Sequence, residues 1–258
     1  MPSSLKISVI TATYNSLETL PSALKSIVEQ NYCNIEWIVI DGGSTDGTLE
    51  IIHKYQLDNP DISFKIISEK DAGIYDALNK GIFNASGDII GFLHSDDMLA
   101  SSNILTKIAE EFVKTNVNGV YGDLQYVNKY NTNNVIRYWK SKKYHPKLIK
   151  QGWMPAHPTL FLKRAIYKKH GNFDLSFKIA ADYDFMLRVL KDQTLKFSYL
   201  PTIITKMRLG GASNKSIKNI IKKTMEDYHA IRSNNIGGVK TLLLKNTCKI
   251  KQFLIKKT

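Results

Sequence analysis

Along the first hundred positions, apolar residues alternate between two periods. The β-branched run "LKISVIT" from Leu5 ends in polar residues and predicts a strand. "LETLPSALKSIVEQ" then places Leu17, Leu20, Leu24, Ile27 and Val28 at helical spacing. "EWIVIDGGS" from Glu36 is a second strand, ending at Asp41 and two glycines. "TDGTLEIIHKYQ" opens like a capped helix, and "SFKIISEKD" is a third strand. "IYDALNKGIFNA" is a helix ending near Ala85, and "GDIIGFL" is a fourth strand. Strands that are apolar almost throughout, each followed by a helix, predict an α/β fold. Its sheet is mostly parallel and covered by helices on both faces.

After Ala109 the pattern loosens. "NGVYGDLQYV" predicts a strand, and "NKYNTNNVIRYW" a hairpin turning at Asn131 to Asn134. "PAHPTLFLKRAIYKKHGNFD" predicts a strand, a helix and a glycine stop. "AADYDFMLRVLKD" is an amphipathic helix with acidic residues in its first turn, where the helix dipole favours them. The chain from Ser216 onward is helical in pattern.

In such sheets ligands bind outside the carboxyl ends of the strands. Polar residues gather at those ends: Thr11 to Asn15, Asp41 to Ser44, Glu69 to Asp71, and His94 to Asp97. Asp96 and Asp97 stand side by side after a buried run, in a chain of 258 residues with net charge +13. Two adjacent carboxylates suit a divalent cation that completes its shell with substrate phosphates and water. The alternative is that Ser95 and Asp96 cap a helix starting near Met98. Asp41, followed by Gly42 and Gly43, either receives a base N–H or organises a turn. Tyr14 either stacks on a base or lines the core edge. Asp182 and Asp184 lie two apart on a helix and point to different sides, so only one can face a given site. One of them is a candidate general base, and helix-start stabilisation is the alternative for both. His157, stiffened by Pro155 and Pro158, either faces a site or packs in its loop.

Composition adds boundaries. With 43% hydrophobic and 23% charged residues, the chain has the make-up of a globular protein. Cys33 and Cys248 form neither a disulfide framework nor a zinc spacing, which fits a reducing compartment. "MPSSLKISVITATYN" reads as the approach to a strand, not as a leader, and no apolar run is long enough to span a bilayer. From Lys215 onward eleven Lys or Arg face only Glu226 and Asp227, so this segment supplies +9 of the net charge. Such a balance points to an anionic partner or to plain solubility.

Together "VITATYN", "IDGGSTDGT", "SEKDAGIYDALNKGI", "GDIIGFLHSDD", "AHPTLF" and "IAADYDFMLR" resemble the family-two inverting glycosyltransferases. The resemblance runs from about Lys6 to Ser213, and the subgroup approached most is the one that builds bacterial capsule, exopolysaccharide and O-antigen units. It implies the GT-A type nucleotide-diphospho-sugar transferase fold. A catalytic domain would cover 1–213, with a nucleotide-binding half to about 98 and an acceptor-binding half beyond, followed by a basic helical tail over 214–258. It further implies that Thr11, Ala12, Thr13, Tyr14 and Asp41 hold the nucleotide base, usually uracil. Asp71, Asn79 and Asp96 would line the nucleotide pocket. Asp97 would be the ligand to Mn²⁺ or Mg²⁺, and Asp182 the catalytic base. Ser95 stands where the family often has another aspartate, and Ala181 where a glutamate often precedes the base. "MRLGGAS" from Met207 resembles a segment that closes over the donor, with Arg208 able to reach diphosphate. His157 and Asp184 are further residues near donor or acceptor.

The expected enzyme is metal-dependent and transfers a single sugar from a nucleotide-sugar donor to a glycan acceptor, with a lipid-linked acceptor favoured. It would be cytoplasmic, peripheral on the inner face of the plasma membrane, and able to oligomerise. In the tail, Ile236, Val239, Leu242, Leu243, Ile250, Phe253 and Leu254 share one helical arc, with Lys245, Lys249 and Lys256 opposite. That pattern suits an interfacial helix on anionic lipid, or docking on the catalytic domain. The rivals are a nucleotidyltransferase, which would need a lysine-bearing glycine-rich loop, and a basic module that binds nucleic acid or polysaccharide. Carboxylates at the strand ends disfavour nucleic acid as partner, because they repel phosphates unless a cation intervenes.

Overall fold

A computed structural model describes residues 5–210 and 217–248. Its first half follows the alternation in the sequence. Strands β1 (Ile7–Thr13), β2 (Ile35–Asp41), β3 (Ser63–Ser68) and β4 (Ile89–Phe92) are joined through helices α1 (Leu20–Val28), α2 (Thr48–Asp58) and α3 (Ile74–Asn84). The strands lie parallel in the order β3-β2-β1-β4, so their carboxyl ends share one rim. All residues of β1, β2 and β4 are buried, whereas β3 at the sheet edge is partly exposed. That is why the inner strands read as unbroken apolar runs.

The second half is mixed. It contains β5 (Met98–Leu99), α4 (Ile104–Thr115), β6 (Gly119–Val127), β7 (Val135–Trp139), α5 (Lys147–Lys150), a 3₁₀ turn over His157–Thr159, β8 (Phe161–Lys163), α6 (Ala165–His170), α7 (Ala181–Leu190) and β9 (Phe197–Arg208). Strand β8 enters antiparallel between β4 and β6, and β9 runs parallel to β6. The sheet as a whole is therefore mixed, with purely parallel pairing confined to β1–β4. Gly91 permits the junction, because a Cβ there would fall 2.1 Å from the Phe161 ring. The hairpin expected around Asn131 to Asn134 is the β6–β7 pair. Beyond Asp97 the chain forms the short strand β5, and the next helix begins only at Ile104, so Ser95 and Asp96 cap no helix.

Helices α1 and α4 pack one face of the sheet through Leu24, Ile27, Ile108 and Phe112. Helices α3 and α7 pack the other through Leu78, Ile82, Phe185 and Leu187. The C-terminal helices α8 (Ile217–Ser233) and α9 (Val239–Cys248) join this second cluster, with Ala230, Ile231 and Ile236 fully or nearly buried. The expected apolar arc is thereby split. Ile236 and Leu242 turn to the core, while Val239 and Leu243 stay about 60% exposed. Lys245, expected on the solvent side, is buried, ion-paired to Asp227 at 2.5 Å and set over the Tyr183 ring at 3.4 Å. Ile250, Phe253, Leu254, Lys249 and Lys256 lie outside the described residues. Among the described residues, no helix is long and apolar enough to cross a membrane.

Glu36 ties the parallel half together. Its buried carboxylate accepts the Ser8 hydroxyl at 2.6 Å, the Ser86 amide at 2.9 Å and hydroxyl at 2.7 Å, and the Lys6 ammonium at 3.2 Å. Burial alone would raise its pKa, but these donors outweigh it and hold the group at about 2. Glu36 therefore contributes stability that is present above pH 4.5 and lost as pH falls toward 2. Glu36→Gln is expected to cost on the order of 2 kcal/mol at neutral pH. In acid titration followed by circular dichroism, the variant should also lose the part of the stability slope that lies in this window.

Candidate active site

The loops after β1 and β2 are stitched to each other. Asn15, in the left-handed region at φ 46°, donates its amide to Ser44 Oγ at 2.8 Å and accepts the Thr45 amide at 2.9 Å. Ser16 donates to Thr48 Oγ1 at 2.9 Å, and Leu17 to Asp46 at 3.1 Å. Asp41 is fully buried and organises this junction. Its Oδ2 accepts from the Gly43 and Ser44 amides and from Ser68 Oγ at 2.7–3.1 Å, and its Oδ1 accepts the Ser44 hydroxyl. The backbone of Gly42 lies between two groups. A Cβ there would sit 2.7 Å from Asp71 Oδ2 and 3.4 Å from the Tyr14 ring. Asp71 and the exposed Tyr14 thus lie close against the Gly42 backbone.

Strand alternation sorts the segment from Thr11 to Tyr14. Ala12 lines the cleft. Thr11 turns to the opposite face, where its hydroxyl accepts Trp37 Nε1 at 3.0 Å, so its side chain belongs to the core. Thr13 is also buried. Asn79 is likewise not at the cleft. Its amide clamps Phe173, donating to the carbonyl and accepting the N–H, both at 2.9 Å.

The acidic turn after β4 lies at the centre of the rim. Asp97 N donates to the His94 carbonyl at 3.0 Å, which folds the turn and sends the Asp97 side chain inward. That carboxylate has no exposed surface. Its Oδ1 accepts the Arg208 amide at 3.3 Å, and its Oδ2 has no hydrogen-bond partner. Burial, followed by the charge of Asp96, pushes its pKa well above the usual carboxylate range, against the pull of Arg208. The half-exposed Asp96 lines the cleft. Arg208 is a strut here. Its guanidinium donates to the Asp96 carbonyl at 2.6 Å, the Lys129 carbonyl at 3.1 Å and Ser22 Oγ at 2.9 Å. A hard divalent cation fits this donor set, because it would satisfy the buried, unbonded Asp97 oxygen and neutralise two adjacent carboxylates.

The cleft, of about 990 Å³, runs from Asn15 and Ser16 past Asp96, His94 and His157 to Asp182. Asp182 Oδ1 accepts the Tyr75 hydroxyl at 3.1 Å, and the same hydroxyl donates to the Ile179 carbonyl at 2.7 Å. Asp184 faces away, as two residues' spacing on a helix requires. It is buried, paired with Arg188 at 2.8 Å and bound by Asn234 at 2.7 Å, so it is tied into the helix packing and not into the cleft. His157 is buried among Phe92, Phe173 and His94, with ring centroids 5.0–6.1 Å apart. Burial pulls its pKa down to about 4 and lowers that of His94 as well. Both are neutral near neutral pH and present uncharged rings to the cleft.

Several cleft residues escaped sequence reasoning. Tyr75 looks like an ordinary apolar position of α3. His94 was visible only as the start of "HSDD". Arg137 lies over Tyr126 at 4.6 Å and Trp139 at 5.7 Å, a pairing that depends on the β6–β7 register.

A parallel half joined to a mixed half that brings an aspartate to the same cleft has the architecture of the GT-A class of nucleotide-diphospho-sugar transferase folds. The chain belongs to glycosyl transferase family 2, whose model matches residues 8–171. It is 30% identical over 221 residues to a PGL/p-HBAD biosynthesis glycosyltransferase of Mycobacterium bovis, covering 84% of this chain and 82% of that protein. It is 32% identical over 194 residues to an uncharacterized glycosyltransferase of Mycobacterium tuberculosis, covering 73% and 70%. Among solved structures it resembles S. aureus TarS 1–349 in complex with UDP-GlcNAc, with TM-score 0.71, 20% identity, and 89% of this chain on 65% of that one. It spans 40% of a longer TarS chain. It also resembles the mannosyltransferase PcManGT from Pyrobaculum calidifontis in complex with GDP-Man and Mn²⁺, with TM-score 0.64, 16% identity, and 100% of this chain on 77% of that one.

A buried carboxylate with an unbonded oxygen destabilises the protein unless a cation is present. Asp97→Asn should therefore raise the melting temperature measured in EDTA, by the equivalent of roughly 1–3 kcal/mol. If Asp97 holds a cation, Mn²⁺ plus nucleotide should stabilise the wild type and not this variant. Differential scanning calorimetry under both conditions checks this, and a lowered melting temperature in EDTA would count against the assignment.

Proposed function

We propose that the protein is an inverting glycosyltransferase that moves one sugar from a nucleoside-diphospho-sugar, with UDP as the leading candidate, to a hydroxyl of a lipid-linked glycan in bacterial surface-polysaccharide synthesis. The observation that carries this reading is the shared cleft. Asp182 and Asp96 line one volume at the strand ends, with Asp97 buried directly behind Asp96, while Asp184 is held in the packing outside it. The name of the M. bovis relative, a biosynthesis glycosyltransferase, supports it, as do neighbours of the same fold bound to UDP-GlcNAc or to GDP-Man with Mn²⁺.

In this reading the base lies against Tyr14, Gly42 and Asp71, and Asp41 keeps that junction in shape. Asp97 and Asp96 would hold Mn²⁺ or Mg²⁺. When bound, the cation neutralises charge building on the departing diphosphate. Asp182 accepts the proton of the acceptor hydroxyl. The acceptor oxygen then bonds to the anomeric carbon from the face opposite the diphosphate, and the bond from that carbon to the diphosphate oxygen breaks, inverting the configuration. Tyr75 holds Asp182 Oδ1, which leaves Oδ2 for the acceptor. The neutral His94 and His157 shape the cleft wall without competing for the proton. The basic residues from Lys215 onward support work at an anionic membrane surface on the cytoplasmic side.

Asp182→Asn is expected to keep donor affinity within about twofold and to lower transfer by roughly 10²–10⁴-fold, the usual contribution of a general base. Donor titration alongside radiolabelled transfer to membrane lipid extracts measures both. Unchanged transfer would remove Asp182 from this role.

A further inference from the structure

Helix α7 carries Asp182 in its first turn, yet it has no cap of its own. Its N-cap residue is Ala180, which offers no side-chain acceptor. The first amides of a helix need partners, and a buried start without them is unstable. Glu226, on another helix, binds the N-cap amide and fastens the two residues ahead of it. Its Oε2 accepts the Ile179 amide at 2.8 Å and the Ala180 amide at 2.9 Å, and both its oxygens lie 3.1 Å from the Lys178 amide.

The contact is held rigidly on the α8 side. The next residue, Asp227, is buried and ion-paired to Lys223 at 2.8 Å and to Lys245 of α9 at 2.5 Å. Burial works against the Asp227 charge, but Lys245 and Lys223 outweigh it and keep its pKa below the usual range. On the α7 side one peptide works at both ends. The Ala180 amide binds Glu226, and the Ile179 carbonyl of the same peptide accepts the Tyr75 hydroxyl that also holds Asp182. The path from α9 through α8 to the base is therefore continuous in charged and hydrogen-bonded contacts.

We propose that Glu226 is a positioning residue for glycosyl transfer: from the C-terminal helix α8 it fixes the first turn of α7, and with it the Asp182 carboxylate, against the cleft. This rests on the reading of Asp182 as the base. It makes the α8–α9 pair a part of the active centre and not only an attachment to it. Glu226 touches no reacting atom. Its loss would let the α7 start shift, and a displacement of about 1 Å at a base can cost about 10²-fold in rate.

The test uses the full chain with Glu226→Gln, which keeps one acceptor oxygen and the side-chain shape, and Glu226→Ala. Lys191→Ala, which loosens the end of α8 at the C-terminus of α7 without touching the α7 start, is the control, and Asp182→Asn is the reference. Hydrogen exchange should quicken roughly 10-fold or more at the amides of Lys178 to Ala180 in both Glu226 variants, with α8 and α9 still protected. Turnover is read with the best-used donor among UDP-glucose, UDP-galactose, UDP-N-acetylglucosamine and GDP-mannose, as release of UDP or GDP. There kcat should fall roughly 10–100-fold with KM within about twofold, less for Gln than for Ala, while Lys191→Ala keeps its kcat. Unchanged exchange at Lys178 to Ala180, loss of protection across all of α8 and α9, or wild-type kcat in Glu226→Ala each overturns the proposal. Wild-type turnover by Asp182→Asn overturns the base assignment instead, so the two failures are distinct.

Discussion

The rim of the sheet is organised around a carboxylate that gains little from its surroundings. Asp97 has no exposed surface, and one of its oxygens has no partner. The neighbouring Asp96 makes its charge harder to keep. Nevertheless three segments are fastened to this turn. Arg208 reaches from β9 to the Asp96 carbonyl, to Ser22 on α1 and to Lys129 after β6, while its own amide meets Asp97. Much hydrogen bonding is thus committed to holding two repelling carboxylates in one place. Buried charges retained against their desolvation cost mark sites where a charged partner arrives.

The two halves of the molecule supply the two sides of that site. The parallel half lets the loops after β1 and β2 lock together through Asn15, Ser44 and Asp41, with Asp71 and Tyr14 close against Gly42. The mixed half exists because β8 enters antiparallel to β4, and the turn ahead of β8 brings His157 beside His94. Asp182 then arrives on α7, whose start is held by Tyr75 from the parallel half and by Glu226 from the C-terminal helices. Asp182 is thus the point where three parts of the chain meet.

How far the sequence alone reveals this follows from how local each interaction is. Strands β1 to β4 and their helices were legible because burial on both faces leaves a continuous apolar run with a clear period. Strand β9 was not read at all, since its partly exposed residues carry no clean alternation. The acidic turn was legible as a cluster, but its distinction from a helix cap needed the short strand β5. Helical spacing said that Asp182 and Asp184 diverge; Arg188 and Asn234 show which one turns away. Thr11, Asn79 and Arg208 looked like ligand-facing groups, and their polar atoms are taken by Trp37, by Phe173 and by the acidic turn. Lys245 looked like a solvent cation until Asp227 and Tyr183 closed over it. Glu226 gave no signal, because its partners lie nearly fifty residues earlier in the chain.

The central claim is that the Asp96–Asp97 turn holds a cation against a nucleoside diphosphate. The most direct measurement is calorimetric titration of the wild-type chain with UDP, GDP and dTDP, each in Mn²⁺ and in EDTA. The account predicts that one nucleotide, UDP first among them, binds in Mn²⁺ and loses that binding in EDTA. Equal affinity in EDTA, or no binding of any nucleotide in Mn²⁺, would contradict it.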